Sequence, residues 1–143
     1  MSDVMVSEIS ARETWSVRHP VLRAGRPLED CAFPHDEDRS TIHFGAFHKA
    51  RLVGVVSLLH PSEGQFQLRG MAVLADLQKL SIGSQLVKHL ESRVLSIGGG
   101  RIWMNARAIA VPFYLKLGYH ISSEEFHIPR IGPHYVMEKT VGQ

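Results

Sequence analysis

The run Gln78-Lys79-Leu80-Ser81-Ile82-Gly83-Ser84 constrains this chain more than any other stretch. It follows an apolar segment, Leu68 to Leu74, and opens a long amphipathic one, Ile82 to Ile97. A strand that enters a small-residue turn and then a helix start gathers backbone N–H groups that have no intrahelical partner. They carry a partial positive charge of roughly half a unit, which suits a phosphate. Gly83 permits close approach because it has no Cβ. Ser81 is expected at ordinary negative φ, with a hydroxyl to donate. An ordinary helix start after a tight turn would use the same seven residues.

The rest of the chain punctuates itself clearly. Val4 to Ile9 predicts a short strand, and Ser10 with Glu13 three residues on predicts a capping box at the next helix. Pro20 breaks or kinks that helix. Arg12, Arg18, Arg23 and Arg26 lie on or just after it, as a solvated face or as a clamp for an anion or a substrate carboxylate. Residues 25 to 40 read as a loop, with acids at Glu29, Asp30, Asp36, Glu37 and Asp38 that are either solvated or an attraction for a cationic amine. Cys31 there is expected to be a small buried residue rather than a nucleophile. Thr41 to Phe47 and Leu52 to Leu59 predict a hairpin, and Gln65 to Leu74 a further strand. Gly70 within it predicts a bulge that frees backbone groups of Met71, Ala72 and Val73 for a ligand. The helix from 81 to 97 carries apolar residues at 82, 86, 90 and 94 and stops at Gly98-Gly99-Gly100. Arg101 to Ala106 is a strand, Ala108 to Lys116 a short helix, and His120 to Ile128 and Pro133 to Thr140 two strand candidates. Strands of a meander mixed with crossover helices make an α/β domain with a mixed sheet.

At 143 residues the chain suits one domain, 1–143, with length enough for a real core. Apolar content of 44% and charged content of 21% are those of a soluble globular protein, and no apolar run approaches a membrane span. Asp3 and Glu8, with no basic stretch, argue against a secretory signal. A single cysteine excludes an internal disulfide framework and favours a cytoplasmic protein. Net charge of +2, with basic residues scattered, predicts no nucleic-acid partner. No His/Cys/Asp cluster has ligand spacing, so no metal is expected.

The run Ala110-Val111-Pro112-Phe113-Tyr114-Leu115-Lys116-Leu117-Gly118-Tyr119 stands about 30 residues after the phosphate-like loop. It resembles the A-x-x-x-Y-x-K-x-G-F/Y pattern of the GNAT superfamily of N-acetyltransferases. Gln78-x-x-Ser81-x-Gly83-Ser84 resembles that superfamily's Q/R-x-x-G-x-G/A signature, with serine at the first glycine. Order and spacing also match, over roughly residues 4 to 140. The resemblance implies the GNAT fold, a mixed, mostly antiparallel twisted sheet of six to seven strands flanked by about four helices. It implies acetyl-CoA as co-substrate, with the pyrophosphate on Gln78, Lys79, Leu80, Ser81, Ile82, Gly83 and Ser84 and the pantetheine along Met71, Ala72 and Val73. It implies Tyr114 beside the coenzyme A sulfur, where its hydroxyl would serve the departing thiolate. The family usually has an asparagine three residues before Ala110, where this chain has Arg107.

The implied activity is transfer of the acetyl group to an amine acceptor by direct attack in a ternary complex. A small-molecule acceptor is favoured over a protein, and a homodimer is compatible. An alkyl amine is only about 10⁻³ neutral near pH 7.4, a penalty of about 4 kcal/mol. A general base offsets part of it. The strand from Gln67 to Met71 offers Gln67 and Arg69 but no carboxylate, where many relatives carry one. The base candidates are therefore His134, His43 and the acids from Glu29 to Asp38, with His134 preferred for its place in the late Pro-His-Tyr run. The alternative is a non-catalytic GNAT-fold module that binds acyl-CoA as a signal. An unrelated mononucleotide-binding domain is disfavoured, because neither G-x-x-x-x-G-K-[ST] nor G-x-G-x-x-G is present.

Overall fold

Local signals set most element ends. The computed structural model describes residues 3–78 and 81–142. After strand β1 (Val4–Ile9), Ser10 N–H donates to Glu13 Oε1 at 2.8 Å and Glu13 N–H to Ser10 Oγ at 3.2 Å, so the capping box forms. It leads through a 3-10 turn, Arg12–Thr14, into helix α1 (Trp15–Leu22). Pro20 lies inside α1, and the helix ends two residues later at Leu22. β2 (Ile42–His48) and β3 (Arg51–Ser62) form a hairpin through Lys49 and Ala50, both at positive φ. That backbone matches the twist of the flanking strands. β4 (Gln65–Val73) follows, then α2 (Ile82–Ile97), which ends where the N–H groups of Gly98 and Gly99 cap Leu95 and Val94. β5 (Gly100–Arg107), α3 (Val111–Lys116), β6 (His120–Ile121), β7 (Phe126–Ile128) and β8 (Gly132–Val141) complete the chain.

The strands make one sheet in the order β1-β2-β3-β4-β5-β8-β6, with β7 also on β8. All pairs are antiparallel except β4–β5. The mixed α/β sheet therefore holds as expected, with eight strands and three α-helices among the described residues. The extra strand arises because the segment from 120 to 128 splits: β6 pairs with Ile121↔Met137 and β7 with Phe126↔His134.

Two cores flank the sheet. Ile82, Leu86, Leu90 and Val94 of α2 are fully buried against Phe44, Leu58, Phe66 and Ile102. Burial of one such side chain stabilises by about 1.5–3 kcal/mol. On the other face Val17 of α1 packs on Val55 and Ala72.

Candidate active site

The site originates in a parallel pair that parts early. β4 and β5 pair only at Gln65↔Arg101, Phe66↔Ile102 and Gln67↔Trp103. Arg101 clips this join: its guanidinium donates to both Glu138 carboxylate oxygens, at 3.0 and 3.2 Å, and to Gln65 Oε1 at 3.2 Å. Beyond Gln67 no strand among the described residues covers the β5 side of β4. Gly70, at φ 67°, supplies the expected bulge: Val55 opposes Ala72 while Ser57 opposes Arg69, so β4 spends one residue more than β3. An extra residue exchanges the two faces of a strand. Phe66 and Leu68 accordingly join the α2 core, whereas Ala72 joins the α1 core.

A cavity of about 680 Å³ occupies the wedge, within the range of about 300–1,000 Å³ usual for ligand pockets. Met71, Ala72, Val73, Gln78, Ser81, Gly83, Ser84, Tyr114 and His134 all line it. Ile82 does not; its side chain is fully buried in the α2 core, which leaves its N–H at the helix start. Lys79 and Leu80 lie outside the described residues. Ser81 departs from the negative φ expected of it: it sits at φ 57°, ψ 23°. The turn into α2 needs the left-handed region there, and serine adopts it at a cost of about 1–2 kcal/mol. The Gln78 side chain donates to Val73 O at 3.0 Å and so holds the end of β4. A Cβ on Gly83 would stand 3.2 Å from Phe113 Cζ, so this glycine also allows α2 to approach the Phe113 ring of α3.

The two proposed catalytic side chains reach the cavity from opposite faces of the sheet. Tyr114, only 5% exposed, packs edge-on to Phe113 and Tyr119 on the α2 side. Burial pushes its phenol well above its usual value, so it stays protonated and a donor. His134 opposes Arg107 in the β5–β8 register, on the face away from Met104 and Met137. Its Nδ1–H donates to Gly132 O at 2.8 Å. That bond fixes the tautomer and leaves Nε2 as an acceptor.

Arg12, Arg26, Glu29, Glu37 and Asp38 are exposed, as the solvated reading has it, but Arg18 and Asp36 depart from either expectation. Arg18 is fully buried rather than solvated, and it meets a protein carboxylate rather than a substrate one. It donates to Asp36 through both terminal nitrogens, at 2.6 and 3.2 Å, to Cys31 O at 2.8 Å and to Ser57 Oγ at 3.0 Å. Arg69 donates to the same carboxylate at 2.9 Å, and Phe33 N–H adds another bond. Asp36 is thus consumed and is no base. His43 is consumed too: Nε2 donates to Asp36 O at 2.9 Å, and Nδ1 accepts from Ser57 Oγ at 2.6 Å. Cys31 is fully buried, and burial pushes its thiol up, away from nucleophilic character. The network pins Phe33 against the cavity, beneath the guanidiniums of Arg18 and Arg23 at 4.0 and 4.7 Å. Sequence patterns pass over Phe33, Ile128 and Ile131, which sit in irregular segments or beside them. Arg107 and Asn105 also line the wedge.

Residues 7–119 match the model of the acetyltransferase (GNAT) family. The chain is 34% identical over 142 residues to the uncharacterized N-acetyltransferase YitI of Bacillus subtilis (strain 168), with 95% of each chain covered. Among solved structures it resembles an aminoglycoside 6'-N-acetyltransferase complexed with coenzyme A, at TM-score 0.77 and 20% identity, over 95% of this chain and 96% of that one. It also resembles the ribosomal-protein-S18-alanine N-acetyltransferase from Escherichia coli, at TM-score 0.82 and 15% identity, over 98% and 95%. At such identities the likeness to these two structures is one of fold.

Proposed function

The chain belongs to the acetyltransferase (GNAT) family, and from that premise we propose that it acetylates a small amine by direct attack within a ternary complex. The observation that carries this reading is the β4–β5 wedge, with an uncovered strand edge, a helix start and two protonatable side chains on one cavity. The residues fit acetyl-CoA. The open edge at Met71–Val73, where Val73 O already accepts from Gln78, presents backbone groups to the cavity, and the pantetheine amides would pair with it as an added strand does. The N–H groups of Ile82, Gly83 and Ser84 at the start of α2 would take the pyrophosphate. Bound acetyl-CoA supplies an activated thioester. The amine nitrogen bonds to its carbonyl carbon, the C–S bond breaks, and one proton leaves the nitrogen while the sulfur gains one.

In this reading His134 Nε2 accepts the amine's proton, directly or through water. Tyr114 donates a hydrogen bond to the developing thiolate. Its raised pKa makes full proton transfer uphill to a thiol near 8.5, so the bond stabilises charge and the sulfur's proton comes finally from solvent. The test is acetyl-CoA-dependent thiol release across a panel of amines, with calorimetric titration of acetyl-CoA alongside. Thiol release that requires an amine supports the transfer. Tight acetyl-CoA binding with no release for any amine would leave a binding module instead.

A further inference from the structure

We infer that the acceptor is an anionic amine, whose carboxylate or phosphate is met by Arg23 and Arg107 while its nitrogen faces His134. The inference rests on the acetyltransferase reading and names its substrate class. The charged residues lining the cavity, among those described, are Arg23, Arg69 and Arg107, with no Asp or Glu. Arg69 is already paired with Asp36. Among the described residues, Arg23 donates only to a neighbouring backbone oxygen, Leu22 O at 2.9 Å, and lies over the Phe33 ring. Arg107 makes no side-chain hydrogen bond or ion pair among the described residues. Two guanidiniums without a carboxylate therefore face one cavity. Burial holds Arg23 below its usual value, and the charges of Arg26, Arg107 and Arg18 push the same way, opposed by Cys31.

Their location assigns them to the acceptor and not to the coenzyme. Arg23 follows α1, and Arg107 closes β5 directly opposite His134. Directly opposed residues hold their Cβ atoms about 5 Å apart on one face. Ser81, Gly83 and Ser84 approach from the α2 side, with Tyr114. An amine at His134 thus has a cation next to it, at a spacing that suits an amino acid or a short amino phosphate. Guanidinium forks bind either anion bidentately. Phe33, Ile128 and Ile131 line the same region and favour an apolar body. A polycationic amine would meet two uncompensated positive charges.

The experiment compares matched pairs: phenylalanine with phenylalaninamide, and O-phosphoethanolamine with ethanolamine. Thiol release gives kcat/KM for each. Calorimetry on the coenzyme A complex compares N-acetylphenylalanine with its amide, and N-acetyl-O-phosphoethanolamine with N-acetylethanolamine, so the anion site is read without turnover. The anionic member of at least one pair should be favoured by about 10- to 100-fold, as for a hydrogen-bonded charge. The preference runs against reactivity, because the anion keeps the amine more protonated. Arg107→Gln and Arg23→Gln should each shrink that ratio, with acetyl-CoA binding monitoring the fold. Equal or undetectable binding of the anionic and neutral products, or a preference for the neutral amines or for spermidine, overturns the inference. Amine-dependent release without anion preference would still uphold the acetyltransferase reading, so the two failures are distinct.

Discussion

Replacing Asp36 by asparagine should destabilise the fold by about 3 to 5 kcal/mol, the usual cost of breaking a buried ion pair from one side. The structure argues for the lower end of that range. Arg18 is fully buried and cannot turn to water, whereas the Arg69 side chain is 20% exposed and can recover some hydration. Arg18 also keeps Cys31 O and Ser57 Oγ as acceptors. The asparagine retains one acceptor oxygen but aims its NH₂ at donors. For a chain of this length a loss of about 3 kcal/mol lowers Tm by roughly 10 °C. Urea unfolding followed by fluorescence of Trp15 and Trp103 gives the free energy. The pH dependence has a definite sign. Burial alone would raise the Asp36 pKa, but the Arg18 hydrogen bond, the Phe33 N–H and the charges of Arg18 and Arg69 together hold it below the usual carboxylate value. A depressed carboxylate contributes fully above its unfolded pKa, near 3.9, and loses that contribution as pH falls through the folded value. The gap between wild type and Asp36→Asn should therefore close below about pH 4. The double variant Arg18→Met/Asp36→Leu removes the fully buried cation with its carboxylate and leaves only the partly exposed Arg69, so it should recover part of the loss. A single-variant loss under 1 kcal/mol at pH 7, or a gap that persists at low pH, would refute the reasoning.

Three further outcomes follow from the site. Tyr114→Phe keeps the ring and its contacts with Phe113 and Tyr119. It should lower kcat by roughly 10- to 1,000-fold with KM for acetyl-CoA nearly unchanged, and full retained kcat in a folded variant would make Tyr114 packing alone. His134→Ala should lower turnover by about 10²- to 10⁴-fold, most strongly below about pH 7.5 and less where the amine deprotonates by itself; an unchanged pH–rate profile would make the residue structural. Ser81→Gly relieves about 1–2 kcal/mol of left-handed strain against an entropic cost of about 0.5–1 kcal/mol. It should be neutral to slightly stabilising in urea unfolding, whereas Ser81→Val should lose stability; equal stability of the two variants would remove the strain argument.

What the sequence determined by itself is what repeats or stops within a few residues. The apolar positions 82, 86, 90 and 94 state a helix and its buried face, and all four are buried. Ser10 and Glu13 state a cap, Gly98 and Gly99 a helix end, and Gly70 a bulge, and each occurs. The two motif runs were legible for the same reason, since the turn that opens α2 and the helix that carries Tyr114 are continuous stretches of chain. The tertiary structure alone decided what depends on segments far apart in sequence. Nothing near Arg18 says that Asp36, Ser57 and Cys31 will surround it, so its burial was invisible in the arginine pattern. Nothing near Ser81 says that the turn into α2 needs positive φ in a residue that resists it. The split of the segment at 120 to 128 depended on where β8 passes. The wedge depended on β4 and β5 parting after Gln67, and only that parting brings Arg23, Phe33, Arg107 and His134 to the same cavity. Periodicity and caps act through neighbouring backbone and are written locally, while charge pairing and cavity shape arise from surfaces that meet only once the sheet has formed.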